Sequence, residues 1–124
     1  MDGLMLHLSD ELRNALIYVK PGTAVSVKGK KFCLYHGKIS AKLRESGLMN
    51  IALWVDDRIF GLGIKELERS NTSIKFQERM KKLNSSEIVD LSKDNGVIQL
   101  QHWDGFRTSI DVDSMEVLSQ TFTK

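Results

Sequence analysis

The apolar pattern between positions 12 and 43 recurs between 76 and 110, and this repetition restricts the possible folds more than any single motif. Leu12, Leu16 and Val19 correspond to Phe76, Met80 and Leu83, each 64 residues apart, and Val25 and Val27 correspond to Val89 and Leu91 at the same spacing. Phe32, Leu34 and His36 match Ile98, Leu100 and His102 at a spacing of 66. Ile39, Ala41 and Leu43 match Phe106, Thr108 and Ile110 at 67. Each copy reads as a short apolar-striped helix, a strand, a polar turn and two further strands. One copy alone buries a single face of a small sheet, so two copies would complete one interior. The expected fold is α+β: an antiparallel sheet from two similar βαβββ-like half-units, with two short helices packed on it.

A chain of 124 residues suits one domain, hiding roughly two-thirds of the surface of its unfolded form. No linker or low-complexity stretch divides it. The expected organisation is a single domain over 1–124, with half-units at 1–44 and 74–113 and an inserted hairpin at 51–64. Apolar residues at 41% and charged residues at 27% fit a globular protein rather than a disordered one. A net charge of +2 gives no molecule-wide field toward nucleic acid or membrane, so any polyanion site must come from local clustering. The single cysteine, Cys33, rules out an internal disulfide and is compatible with a reducing cytoplasm. No run approaches the roughly 20 apolar residues of a membrane helix, and Met1-Asp2-Gly3 does not begin a secretory signal. The expected location is cytoplasmic, without membrane contact.

Local signals place the elements. Leu4, Leu6 and Leu8 alternate as in a strand, and Ser9-Asp10 sits where a helix N-cap belongs before Leu12, Leu16 and Val19. Pro21-Gly22 ends that helix. Lys28-Gly29-Lys30-Lys31 turns between strands 25–27 and 32–35, and Ile39 to Leu43 reads as a third strand. Residues 51–55 and 59–64 flank the turn Asp56-Asp57-Arg58, and a helical turn is expected at 65–69. The second copy supplies a helix near 76–83 and strands at 87–92, 97–102 and 106–112, with a strand or loop at 115–122.

The stretch LRNALIYVKPGTAVSVKGKKFCLYHGKISAKL, residues 12–43, joins helix, Pro-Gly break, alternating strand, polar turn and two further strands. That order resembles the repeating unit of DNA sliding clamps, and the stretch is similar to the helix-and-sheet half of a bacterial beta-clamp domain. Two βαβββ units make one domain in that family, and this chain has the length of one. The resemblance implies a non-catalytic binding module contacting DNA or a replication protein. Clamp rings hold six such domains, so with one domain per chain the resemblance implies either a six-subunit homo-oligomeric ring or no ring. Clamp helices line the DNA hole with basic side chains. Lys75, Arg79, Lys81 and Lys82 against Glu78 on the second helix have that character.

Basic residues also gather at Lys28, Lys30 and Lys31 in the first hairpin turn, with Lys38, Lys42 and Arg44 following. Several cations on one surface would neutralise phosphates with salt-sensitive affinity, although a solvated lysine face is the commoner outcome. The alternative to a clamp-like module is a small interaction or inhibitor protein that self-associates or binds a host factor. Its anchor would be the hairpin 51–64, apolar on both faces: Ile51, Leu53 and Val55 with Phe60, Leu62 and Ile64 on one, Ala52 and Trp54 with Ile59 on the other. Trp54, Phe60 and Leu62 are its interface candidates, against the reading that the hairpin is core.

Catalysis has little support. His7, His36 and His102 each fall on or beside a strand and read first as structural, and Asp56-Asp57 reads as a turn. Cys33 and His36 lie three apart on an extended chain and so point to opposite faces, which argues against a metal pair. No cofactor, metal or catalytic residue is expected. Gly61 and Gly63 read as a bulge or a close backbone approach.

Overall fold

The computed structural model describes residues 4–69, 78 and 87–122. The order along the chain is β1 (Met5–His7), α1 (Asp10–Ile17), β2 (Thr23–Val27), β3 (Lys30–Leu34), α2 (Gly37–Glu45), β4 (Leu48–Val55), β5 (Arg58–Gly63), α3 (Ile64–Arg69), β6 (Ile88–Asp94), β7 (Val97–His102), β8 (Phe106–Asp111) and β9 (Glu116–Phe122). Two antiparallel sheets result, ordered β1-β5-β4-β3-β2 and β6-β7-β8-β9. The architecture is therefore α+β and mostly sheet.

The first sheet is the middle of three layers. On one side Phe32, Leu34, Ile51, Leu53 and Leu62 meet Leu91, Ile98, Leu100 and Ile110 of the second sheet. On the other, Cys33, Tyr35, Ala52 and Ile59 meet Leu16 of α1 and Ile39 and Leu43 of α2. Each large apolar side chain fully withdrawn from water contributes about 1.5–3 kcal/mol. A strand buried on both sides cannot alternate apolar with polar, which is why β4 is buried at every position from Leu48 to Leu53.

The hairpin 51–64 thus supplies the two inner strands beside β3, with β4 paired to β3 and β5 paired to β1. Gly61 and Gly63 permit the helix-side packing. A Cβ at Gly61 would lie 2.7 Å from Leu48 Cδ1 and 2.9 Å from Leu8 Cδ2, and one at Gly63 would overlap the Glu66 side chain.

Residues 39–43 form the middle of α2, where the sequence pattern favours a third strand. Ile39 and Leu43 share a face at both periods, two and 3.6, so the apolar positions alone do not discriminate. The helix-forming run Ala41-Lys42-Leu43-Arg44-Glu45 does. The correspondence between copies is closest at the hairpins. Lys28 and Gly29 (φ 50 and 79) between β2 and β3 adopt the same two positive-φ residues as Asn95 and Gly96 (φ 46 and 77) between β6 and β7. It stops at the next element, which is α2 in one case and β8 in the other. The helix expected near 76–83 lies outside the described residues.

The two sheets are tied by one buried side chain. Asn50 is 1% exposed and sits where the β4–β5 register shifts between Leu48 and Ala52. Its Nδ2 donates to the carbonyls of Tyr35 (3.0 Å) and Ile88 (2.9 Å), and its Oδ1 accepts from the Ile88 N–H at 2.9 Å. Beside it Ser40 Oγ donates to Glu87 Oε1 at 3.1 Å, holding the start of β6 to α2. Asn50→Ala strips three buried backbone groups of their partner, at about 1–3 kcal/mol each before relaxation. The expected loss is about 3 kcal/mol, read as a lower urea midpoint with an unchanged slope.

Candidate functional site

The basic turn of β2–β3 is turned inward on the molecule. Lys28 Nζ pairs with Asp113 Oδ2 at 2.6 Å, and Lys30 Nζ donates to the Val112 carbonyl at 2.6 Å. From the opposite sheet, Lys93 Nζ donates to the Ser26 carbonyl at 3.0 Å. The Asp113 carboxylate beside Lys28 raises its ammonium pKa above the ordinary value. Lys28 and Lys30 therefore join sheet to sheet, Lys28 while still exposed, and Lys31 is exposed as well. Lys38, Lys42 and Arg44 lie on α2, with Arg44 4.0 Å from Glu87. Lys75, Arg79, Lys81 and Lys82 lie outside the described residues.

The three apolar interface candidates do not form one patch. Leu62 is fully buried between the sheets. The half-buried Phe60 packs on that same cluster, whereas half-buried Trp54 packs on the helix side. Register puts Leu53 opposite Phe60 and Trp54 opposite Ile59, which fixes the two aromatics on opposite faces. A two-sided hairpin has found two internal partners, and Leu62 belongs to the core rather than to a surface.

The histidines are scattered. His36 is exposed at the N-cap of α2, and His7 is exposed with its ring 5.8 Å from that of Phe60. His102 is buried, its Nε2 2.7 Å from Thr108 Oγ1. Asp56 and Asp57 are exposed in the β4–β5 turn. Among the described residues no three His, Cys, Asp or Glu side chains group as metal ligands would. No described helix is long and apolar enough to cross a membrane. Burial raises the Cys33 thiol above its usual range, which suppresses the reactive thiolate. Burial likewise pushes the neighbouring Tyr35 phenol up from 10.0 to about 12.

The feature that remains is the outer strand of the second sheet. Among the described residues β9 has one hydrogen-bonded neighbour, β8. The register shifts between Ser109 and Ile110, so Leu118 falls between the pairs Ser109–Ser119 and Ile110–Val117 and is 56% exposed. Phe122 is 52% exposed and packs edge-on against Phe106, ring centroids 5.4 Å apart. Phe106 in turn rests on the inter-sheet core, so the apolar surface runs from the interior out to the edge. The strand's start is fixed by Asp111, whose Oδ2 accepts from Ser114 N at 2.9 Å and Ser114 Oγ at 2.8 Å. Those two bonds hold the Asp111 carboxyl below its ordinary pKa. From Val117 to Phe122 there is no charged residue and no Pro; Glu116 and the bulge at Leu118 are the edge-protecting features the strand carries.

The sequence leaves 115–122 open between strand and loop and says nothing of an edge position, since both depend on which strands pair. Comparison with protein-family models, with curated proteins and with solved structures finds no match to this chain.

Two outcomes follow from this geometry. Lys30→Met removes the bond to Val112 O and lowers stability by about 1–2 kcal/mol, whereas Lys31→Met stays within about 0.5 kcal/mol in the same melts. With Tyr18→Phe, Tyr35 is the sole tyrosine, and its phenolate absorbance rises only near pH 12. A phenol whose pKa is raised by folding stabilises the protein fully below its unfolded value of 10.0, and that contribution is lost as pH climbs toward 12. Tyr35→Phe should therefore flatten the alkaline fall in stability.

Proposed function

We propose that this chain is a non-catalytic binding module that receives an extended segment of a protein partner along β9. One observation carries the reading: an outer strand of seven residues with exposed Leu118 and no charge after Glu116 at its start. The backbone donors and acceptors of such a strand supply affinity to any strand laid beside them, and side chains like Leu118 add selectivity. This is the protein-contacting form of the clamp-like expectation, with a replication protein as the partner in that reading. The DNA-contacting form rests on Lys75, Arg79, Lys81 and Lys82, and it gains nothing from Lys28 and Lys30, which are engaged within the molecule.

The test is a photoreactive residue at Ser119 in the producing cell, with Lys38 on α2 as the comparison position. The expected result is a discrete cross-linked species from position 119 alone, lost when Leu118→Asp is added. A second copy of this chain in that species would make the partner a homo-oligomer, formed through the same edge. Equal labelling from both positions would overturn the reading. Steeply salt-dependent duplex binding, abolished by Lys81→Glu with Lys82→Glu, would replace it with the DNA-contacting form.

A further inference from the structure

The end of β1, the first turns of α1 and the β4–β5 turn enclose a groove of about 230 Å³ beside the first sheet, whereas β9 belongs to the second. Its walls are apolar, from Leu8, Ile59 and Phe60. Its charged lining is two cations, Arg13 and Arg58, against a single acid, Asp57, with His7 beside them. Arg13 uses one nitrogen, Nη2, on Asp10 Oδ1 at 2.9 Å, and a guanidinium keeps further donors in the same plane. Arg58 makes no ion pair or side-chain hydrogen bond among the described residues. Two forked donors beside an apolar wall suit a carboxylate attached to an apolar body, since guanidinium and carboxylate match in shape as well as charge. The volume lies below the roughly 300–1,000 Å³ of pockets for drug-sized molecules, which limits the occupant to about one residue.

We propose that this groove binds the C-terminal residue of a peptide, its carboxylate on Arg58 and Arg13 and its apolar side chain against Leu8, Ile59 and Phe60. The site is independent of the β9 reading and uses a different face of the fold. Asp57 at the rim disfavours a second negative charge, so a monoanion fits better than a phosphate.

The probe is N-acetyl-leucinate titrated into the isotope-labelled full chain, followed by amide chemical shifts. Saturable shifts at Leu8, Arg58 and Phe60 are expected, with at least about tenfold weaker binding for N-acetyl-leucinamide, which lacks the charge. Arg58→Gln, at an exposed strand end, should weaken the acid about tenfold and leave distant amides unmoved. Arg13→Gln should act in the same direction, and Leu118→Asp should change nothing. 4-Methylpentanoate, which lacks the acylamino group, should bind more weakly; tighter binding would reassign the site to free carboxylic acids and overturn the peptide assignment. Inorganic phosphate binding as well as the acid would do the same. Equal shifts with acid and amide, no shifts to the solubility limit, or indifference to Arg58→Gln would remove the site altogether.

Discussion

A buried carboxamide holds this fold together. Asn50 stands where the β4–β5 register breaks, and its side chain satisfies buried backbone groups of other elements. Its amide does so in both directions, toward Tyr35 in the first sheet and toward Ile88 at the start of the second. An apolar residue there would pack, but it would not set the angle or position at which β6 enters. Apolar contact between two sheet faces tolerates sliding; three directional bonds at one residue do not. Glu87, held by Ser40, and the lysine contacts at the far end add to the same alignment.

The alternation of the central hairpin was fully readable. Ile51, Leu53, Phe60 and Leu62 do share one face, and Ala52, Trp54 and Ile59 the other. Its depth in the molecule was less readable, because two apolar faces describe an internal strand and an unpartnered one equally well. Topology decides between them, through partners far away in sequence such as Met5 opposite Leu62. The identity of residues 39–43 was lost for a different reason. Positions four apart satisfy helix and strand periodicity alike, and a supposed match with 106–110 favoured the strand.

The candidate sites were legible to different degrees, again for physical reasons. Lys28 and Lys30 read as a cationic turn because their partners, Asp113 and Val112, lie 85 and 82 residues on. No local pattern anticipates a contact of that separation. Nothing in the sequence links Arg13 with Arg58, single arginines on a helix and in a hairpin turn. Only the pairing of β1 with β5 brings α1 beside the β4–β5 turn and converts two scattered charges into one lining.

That same pairing shapes the order in which the chain can mature. The strands of the second sheet follow one another directly, so each finds its neighbour a few residues later. β1 has to wait for β5: Met5 cannot meet Leu62 until more than fifty intervening residues have left the ribosome. Until then Leu4, which ends fully buried, stays in water together with the helix-side leucines that follow it. The entropy of closing that span must be overcome before the non-local pair stabilises anything, unlike in a local hairpin. Residues 4–16 are accordingly open to chaperones and proteases until β5 has formed.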